Sequence, residues 1–447
     1  MDNQYFADSF ERIRQYYPEK KEYLSAVAEI LENVQVASEL LSQMEKFNVL
    51  ERLFIPDQVI EFNVTWLDDA NKVQNNKGWR VQHANLIGPY KGGLRFHSTV
   101  TPSVLQFLAL EQSFKNALTG FAIGGAKGGS NFDPKGKSDA EVMRFCQSFM
   151  NELIHYIGPH QDVPAGDINV GTREIGFLFG QYRKLTQNFV GSITGKSVDF
   201  GGSPIREEAT GYGVVYFLDE MMKFADSDIN QQRVAISGAG NVALHTALKA
   251  VELGAKVVSL SNSRGSLLCE KGFTLDALNI IKKLKEQHVD NALTECELAG
   301  CDWLSSEKPW SIAHTVAIPC ATQLEVESDD VEVMANAGCQ WLIEGANMPC
   351  TPSALTALHD ASITYAPAKA VNAGGVVASV FEMGMNARFS SPQFANNQEC
   401  LKMVMKDIHD KCVKWGKTNK SDSVDYQCGA NSYALQKLAT VMLTQGV

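Results

Sequence analysis

Several things are missing from this 447-residue chain, and each absence excludes a class of protein. No stretch approaches the roughly 18 apolar residues of a membrane-spanning helix, so none is expected. The 10 cysteines never form Cys-x-x-Cys, and Cys301 and Cys320 stand too far apart for a close-spaced zinc motif. A chain this long does not need disulfide staples, so reduced, mostly buried thiols and no metal are expected. Basic residues are in deficit: 40 Lys and Arg face 51 Asp and Glu, a formal charge of −11. Phosphate neutralisation supplies most non-specific nucleic-acid affinity, so this balance speaks against a nucleic-acid partner, a local basic cleft excepted. The first residues, MDNQYFADSFERIRQYY, begin acidic and lack the apolar run of a secretory signal. A soluble, cytoplasmic globular protein without membrane or nucleic-acid partners is the expectation.

What is present points to two domains of about 200 residues each, because one hydrophobic core does not serve a chain this long. Residues 1–45 carry apolar residues at three- and four-residue spacing. They read as helical, either a solvated helix pair or a subunit contact. VIEFNVTWLD, within 57–99, alternates like a strand. Thr101-Pro102 opens a helix to about Leu118, with Pro102 where its missing N–H costs nothing. Ser138 and Glu141 form a capping box ahead of an apolar stripe of Val142, Phe145, Phe149, Leu153 and Tyr156, and Gly158-Pro159 ends it.

From 232 onward short apolar runs dominate: 233–237, 256–260, 314–318, 341–343 and 363–366. The first is followed by glycines and a helical run to about Glu252, which is the strand–turn–helix–strand signature of a parallel sheet. Ligands in such sheets sit beyond the carboxyl ends of the strands, so the loops 238–243, 261–264, 319–323, 344–349 and 367–375 form one candidate rim.

GAGNVA at 238–243 is a G-x-G-x-x-A form of the dinucleotide fingerprint. Gly238 permits the tight turn, Gly240 the approach of a pyrophosphate to a helix N-terminus, and Ala243 close helix–strand packing. The bland alternative is a tight turn without ligand. An acid is expected roughly 20 residues further on if the cofactor is NAD. The stretch is instead Ser261, Asn262, Ser263 and Arg264. Donors in place of an acid suit a 2′-phosphate, which favours NADP over NAD, unless Arg264 is only a solvated turn residue.

The first half is marked by GPYKGGLRFH (88–97), EQSFKNAL (111–118), GGAKGG (124–129) and PAGDINVG (164–171). Gln112 and Lys115 share a helix face. Lys91 and Lys127 lie among glycines, which expose backbone donors and let a small substrate approach. Lysines are usually solvated surface groups, and the linear sequence does not show that these meet. Three lysines and the carboxylate of Asp167 nonetheless suit a small dianion and a proton-transfer step.

These stretches, with DFGGSPIREEATGYGVVYF, SGAGNVA, PCATQ, EGANMP, APAKAVNAGGV and GANSYAL, resemble the small-subunit hexameric glutamate dehydrogenases over essentially the whole chain. The resemblance implies an α/β protein with two domains around a cleft. An N-terminal α/β substrate domain with a mixed sheet, which also carries subunit contacts, takes 1–200. A Rossmann-like NADP-binding domain takes 201–425. A C-terminal helix, 426–447, returns to the first domain. It implies a homohexamer and reversible conversion of L-glutamate to 2-oxoglutarate and ammonium through 2-iminoglutarate. Lys91 and Ser379 are implied to hold the distal carboxylate, and Lys115 and Gln112 the α-carboxylate. Lys127 is implied as the catalytic lysine and Asp167 as the proton-transferring carboxylate, with Thr194 and Val376 near Cα. Arg206, Thr210, Gly238, Gly240, Asn241, Val242, Ser261 through Arg264, Lys285, Ala321, Thr322, Asn347 and Asn372 are implied to contact or frame NADP.

Burial and neighbouring cations should lower the Lys127 pKa, so that it can activate water. The chain departs from the family pattern at Asn169 for glycine, at Asn262 in SNS for SDS, at Leu324 for Asn and at Thr315 for Asp. The alternatives are NAD or dual specificity, a branched-chain or aromatic amino-acid dehydrogenase, and a catalytically silent NADP-binding scaffold. The amino-acid dehydrogenase alternative would need an apolar slot where Lys91 and Ser379 place a clamp.

Overall fold

Alternating residues after position 57 build a sheet. In this computed structural model, which describes residues 3–446 apart from 288, 290, 297, 391–393 and 418–422, the strands are β1 (Gln58–Leu67), β2 (Val73–Ala84), β3 (Tyr90–Phe96), β4 (Gly125–Ser130) and β5 (Asp162–Gly166). They form a mixed five-stranded sheet in the order β1-β2-β4-β3-β5. β3 runs parallel to both β4 and β5, while β2 is antiparallel to β1 and β4. This sheet belongs to a first unit made of Met1–Arg206, Ala378–Phe394 and Ala430–Val447. The second unit is Glu207–Val377 with Ala395–Gly429.

Successive side chains on a strand point to opposite faces. The register therefore puts Lys91, Arg95 and Lys127 on one face and Arg80, Leu94, Phe96 and Asp162 on the other. The second face is mainly apolar. It packs against helix Asp139–Leu153, whose capping box forms as expected, and helix Thr172–Thr186. Phe132 and Phe145 stack with ring centroids 3.7 Å apart, and Phe96 meets Phe145 edge-on at 5.1 Å. Within this face Arg80 and Asp162 are wholly buried as a pair. Arg80 Nε donates to Asp162 Oδ2 at 2.8 Å, Arg80 Nη1 to the Gly92 carbonyl at 3.1 Å, and Gln82 Nε2 to Asp162 Oδ2 at 3.0 Å. The guanidinium thus ties β2, β3 and β5 together.

The lysine face is covered by helix Pro102–Thr119, capped by the Thr101 side chain and packed on Trp79 and Val81 through Leu105 and Ala109. Residues 1–45, read as helical, form Gln4–Tyr16, Lys21–Glu32 and most of Ser38–Lys46, with non-helical breaks at 17–20 and 33–37. Part of helix Tyr426–Gln445 lies in this unit, where Ser432 Oγ accepts from the Gln35 N–H at 2.8 Å and Lys437 Nζ donates to the Ala117 carbonyl at 3.3 Å.

The second unit holds β6 (Arg233–Ile236), β7 (Lys256–Asn262), β8 (Gly265–Cys269), β9 (Cys301–Ser305), β10 (Val316–Ile318), β11 (Trp341–Ile343) and β12 (Thr364–Ala366). Their order is β12-β11-β10-β6-β7-β8-β9. The five strands from β12 to β7 are parallel, as the sequence pattern indicates. β8 and β9 extend the sheet antiparallel. The segment 261–264 is therefore not an open loop. β7 runs on to Asn262, and Ser263-Arg264 is a two-residue turn into β8. Val258, Ala317, Leu342, Trp310 and Ile363 contribute to the core here. Among the described residues no helix is long and apolar enough to cross a membrane.

Phe145 touches Trp66, Phe96, Phe132 and Phe149. Truncating a buried phenylalanine typically removes about 3–5 kcal/mol. Phe145→Ala should destabilise the first unit by that order, seen as a lower urea midpoint in tryptophan fluorescence. An unchanged midpoint would show that the aromatic cluster is not holding the helix to the sheet.

Candidate active site

The first unit sets its glycine-flanked lysines on one face of neighbouring strands, β3 and β4, where glycines beside them leave room for close approach. Gly93 is the clearest case. A Cβ there would stand 2.8 Å from the Asp167 Cβ, so only glycine lets Asp167 fold back over β3. Asp167 follows β5 at its carboxyl end. Its Oδ2 accepts from Arg95 Nε at 2.9 Å and lies 3.1 Å from Lys127 Nζ. The loop is tied to β3 by its backbone as well: the Phe96 N–H donates to the Ile168 carbonyl at 3.0 Å. Asn169, which departs from the family's glycine, adopts φ 57° and donates from Nδ2 to the Phe96 carbonyl at 3.0 Å. An asparagine tolerates this left-handed conformation, and here its side chain adds a tether.

The electrostatics follow from this packing. Lys127 is 4% exposed. Burial lowers its pKa, Asp167 opposes that shift, and Arg95 adds to it. Asp167 keeps 17% of its side-chain exposure. Burial alone would raise its pKa, but the Lys127 and Arg95 charges overcome this and hold the carboxyl well below the usual range.

Lys91 lies on the same strand face and is 2% exposed. Its Nζ donates to Thr194 Oγ1 at 2.9 Å. Burial, then the Arg80 and Arg206 charges, push its pKa down to about 7 against the opposing pull of Glu382 and Asp162. Gln112 and Lys115 are both buried on helix Pro102–Thr119. Gln112 Nε2 donates to Asn116 Oδ1 at 2.8 Å, and Asn116 Nδ2 donates to the Lys91 carbonyl at 3.2 Å. The helix is thus fastened to β3 at the lysine. Ser379 is buried on helix Gly374–Arg388 and Arg206 is half-buried. Val376 lies in the first turn of the same helix.

In the second unit the fingerprint turn forms at the carboxyl end of β6. Gly238 has φ 83°, and helix Asn241–Glu252 starts after Gly240, which has no side chain with which to cap it. The helix's first N–H groups are left to serve an anion, and a Cβ at Gly240 would meet no protein atom within 4 Å. Ala243 is buried and Val242 half-buried. Asn241 turns away from the helix end, donating to the Glu207 carbonyl at 2.7 Å. Thr210 is half-buried on helix Ala209–Phe224.

Ser261 Oγ accepts from the Gly238 N–H at 2.8 Å, which fixes the hydroxyl at the turn and leaves its proton for an acceptor. Asn262 is tied on both sides: Nδ2 donates to Asn291 Oδ1 and Oδ1 accepts from the Arg264 N–H, each at 2.8 Å. Ser263 and Arg264 are exposed at the turn, and Lys285 is exposed in the last turn of helix Leu275–Glu286. Ala321 and Thr322 donate their N–H groups to Glu325 Oε1 at 3.0 and 3.3 Å. Asn372 Nδ2 joins the Gly345 carbonyl to Asn347 Oδ1, both at 3.0 Å. The fingerprint, the acid-free turn and these amide-lined loops fit a phosphorylated dinucleotide.

Two departures resolve differently. Thr315 Oγ1 donates to Gln232 Oε1 at 2.8 Å at the amino end of β10, opposite the carboxyl-end rim. Leu324 stands on the rim, 47% exposed and at φ 55°, with its N–H donated to the carbonyl of Met348, itself at φ 46°. Residues that the sequence reading left unassigned are Arg95, Glu382, Lys196, Asn291 and Glu344. Arg95 had a usable signal, since Lys91, Gly93 and Arg95 share one strand face. Glu344, whose Oε2 accepts from the Ala368 N–H at 2.8 Å and whose pKa burial raises to about 7, gives no such linear sign. Among the described residues no group of His, Cys, Asp and Glu is arranged to hold a metal ion.

The comparisons agree along the chain. An NAD(P)-specific glutamate dehydrogenase of Xylanibacter ruminicola is 46% identical over 98% of this chain and 98% of its own length. An NADP-specific glutamate dehydrogenase of Salmonella typhi is 45% identical over 100% of both. The crystal structure of Plasmodium falciparum glutamate dehydrogenase matches with a TM-score of 0.94 at 42% identity, covering 99% of this chain and 95% of that one. The family model for the Glu/Leu/Phe/Val dehydrogenase dimerisation domain matches residues 56–184, and that for Glutamate/Leucine/Phenylalanine/Valine dehydrogenase matches 201–446. On sequence, fold and site geometry together, the chain belongs to the glutamate/leucine/phenylalanine/valine dehydrogenase family.

Proposed function

We propose that this chain is an NADP-dependent glutamate dehydrogenase that interconverts L-glutamate with 2-oxoglutarate and ammonium. The observation that carries the reading is Lys127 and Asp167, 3.1 Å apart, on the sheet face that also buries Lys91. A buried lysine is what a distal carboxylate needs. It is what the apolar slot of a leucine or phenylalanine enzyme would exclude.

When bound, NADP supplies the nicotinamide that takes or gives the hydride. The turn Ser261–Arg264, the glycines 238 and 240, the helix start at Asn241 and Val242 and the segments bearing Ala321, Thr322, Asn347 and Asn372 would hold it, with Arg206, Thr210 and Lys285 as the further contacts. Lys91 and Ser379 grip the distal carboxylate, Gln112 and Lys115 the α-carboxylate, and Thr194 and Val376 flank Cα. Asp167 with so low a pKa is a weak base by itself. The base of the pair is Lys127 once it has lost its proton, and Asp167 passes protons to it. Both cations engage Oδ2, so Oδ1 is the oxygen that meets the substrate amine. Once that proton has passed on to solvent, Lys127 is neutral again and takes a proton from the water that attacks the imine, and the ammonium so formed stabilises the oxygen charge that develops. The resemblance further supports a homohexamer working in the cytoplasm.

The direct test is the initial rate with 2-oxoglutarate and ammonium, using NADPH or NADH. NADPH should be the better reductant. No ammonium-dependent turnover would end the reading, and equal efficiency with NADH would remove the cofactor preference. Loss of one charge-assisted contact is worth roughly 10- to 100-fold, so Arg264→Ala should lower kcat/KM for NADPH by that order and leave NADH nearly untouched. An equal fall with both would mean that Arg264 only supports the turn.

Lys127→Arg keeps the charge but cannot release its proton. It should lose about 10²–10⁴-fold in kcat, the usual share of general acid–base catalysis. Because the Arg95 charge lowers the Lys127 pKa, the acid limb of the kcat/KM profile for glutamate oxidation should move to higher pH in Arg95→Gln. Lys91 is charged below about pH 7 and neutral above it. The KM for 2-oxoglutarate should therefore climb as pH rises past 7, and a flat KM would show that Lys91 does not bind the carboxylate.

A further inference from the structure

A second buried ion pair lies in the first unit and has no part in the proton transfers. Lys196 Nζ and Glu382 Oε1 are 2.6 Å apart, and both side chains are 0% exposed. Removing two charges from water is costly, and such a pair is justified less by stability than by the register it imposes. Its other partners show what it registers. Glu382 Oε2 accepts from the Gly195 N–H at 2.9 Å and Oε1 from the Lys196 N–H at 3.3 Å. Lys196 Nζ also donates to the Ile193 carbonyl at 2.6 Å and stands 5.4 Å from the centre of the Phe179 ring.

Thr194 is the residue between those held points. The carbonyl before it belongs to the Lys196 ammonium, the N–H after it to the Glu382 carboxylate, and its own N–H donates to the Pro164 carbonyl of β5 at 2.9 Å. With its backbone fixed on three sides, Thr194 Oγ1 can receive Lys91 Nζ at 2.9 Å. Glu382 occupies the same helix as Ser379, Gly374–Arg388, three residues further on. Residues at that spacing share a helix face. Asn386, one turn beyond, donates from Nδ2 to the Gly201 carbonyl at 2.7 Å, so this face is laid along the 193–201 segment at successive turns.

We infer that Glu382 is the positioning residue of the distal-carboxylate pocket: through Lys196 and the Gly195 amide it sets Ser379 against Thr194 and Lys91. The inference rests on reading Lys91 and Ser379 as the clamp for that carboxylate. It assigns substrate-length selectivity to a side chain that does not touch substrate. One consequence is directional: an error in the register should weaken the grip on a five-carbon dicarboxylate and leave a five-carbon monocarboxylate of the same backbone nearly indifferent.

The test compares 2-oxoglutarate with 2-oxopentanoate, at saturating NADPH and ammonium, on the full chain. Glu382→Asp keeps the charge and withdraws it by one methylene. Its KM for 2-oxoglutarate should rise about tenfold with kcat changed less than about threefold, while kcat/KM for 2-oxopentanoate stays within about threefold. The doubly neutral Lys196→Met/Glu382→Gln variant leaves no uncompensated charge. It should show the same selective loss even if Glu382→Asp melts too early to assay. Equal losses with both oxo acids, an unchanged KM, or a parallel rise in the KM for NADPH in the double variant would make the pair purely structural and overturn the inference. Lys91→Met separates the two levels. If it abolishes the preference for 2-oxoglutarate while the double variant preserves it, the clamp stands and the role of Glu382 falls. If Lys91→Met leaves the preference intact, the clamp itself is wrong and the inference falls with it.

Discussion

The proposed chemistry depends on one carboxylate held between two cations. Asp167 receives Arg95 at 2.9 Å and Lys127 at 3.1 Å on the same oxygen. That contact decides three things together. It keeps Asp167 ionised, it restrains the fall in the Lys127 pKa that burial causes, and it fastens the loop after β5 to the end of β3. The protein reaches the arrangement by subtraction. Gly93 removes the side chain that would collide with Asp167, and the two cations stand on the one sheet face that the aromatic core leaves to helix Pro102–Thr119.

The buried ion pairs around this centre act as registers. Arg80–Asp162 lies on the opposite face of the sheet and ties β2, β3 and β5 together. That keeps the strand carrying Lys91 and Arg95 level with the strand that delivers Asp167. Lys196–Glu382 plays the same part for the segment around Thr194. An apolar pair would stabilise as well or better, but it could not also direct backbone amides and carbonyls. Precision at a site proposed to hold a small dianion is our account of why charges are buried here.

Legibility in the sequence followed locality. The helix cap at Thr101, the capping box at Ser138 and Glu141, and the fingerprint turn at Gly238 and Gly240 are set by neighbours within a few residues, and all formed where the pattern places them. The parallel strands were legible as short apolar runs. β8 and β9 were not, because GSLLC and CDWLS mix polar and apolar residues without a clean period. That concealed the hairpin turn at Ser263-Arg264. Lys127 and Asp167 stood out by their glycine setting, but their 3.1 Å separation is a property of sheet order, with β3 inserted between β4 and β5. Lys196 and Glu382 are 186 residues apart. Nothing local marks either one, since a lysine and a glutamate read as surface until their burial is seen.

The measurement closest to the centre of this account is the titration of Asp167 itself. Aspartate carboxyl carbons labelled with ¹³C, assigned by difference against Asp167→Asn, report it in the intact chain. An ordinary aspartate titrates near pH 4. The Asp167 signal should stay that of a carboxylate from pH 6 to below about 4 and should begin to move within that window when Arg95 is replaced by glutamine. A wild-type signal that titrates at or above the ordinary value would contradict the claim that two cations hold this carboxylate ionised.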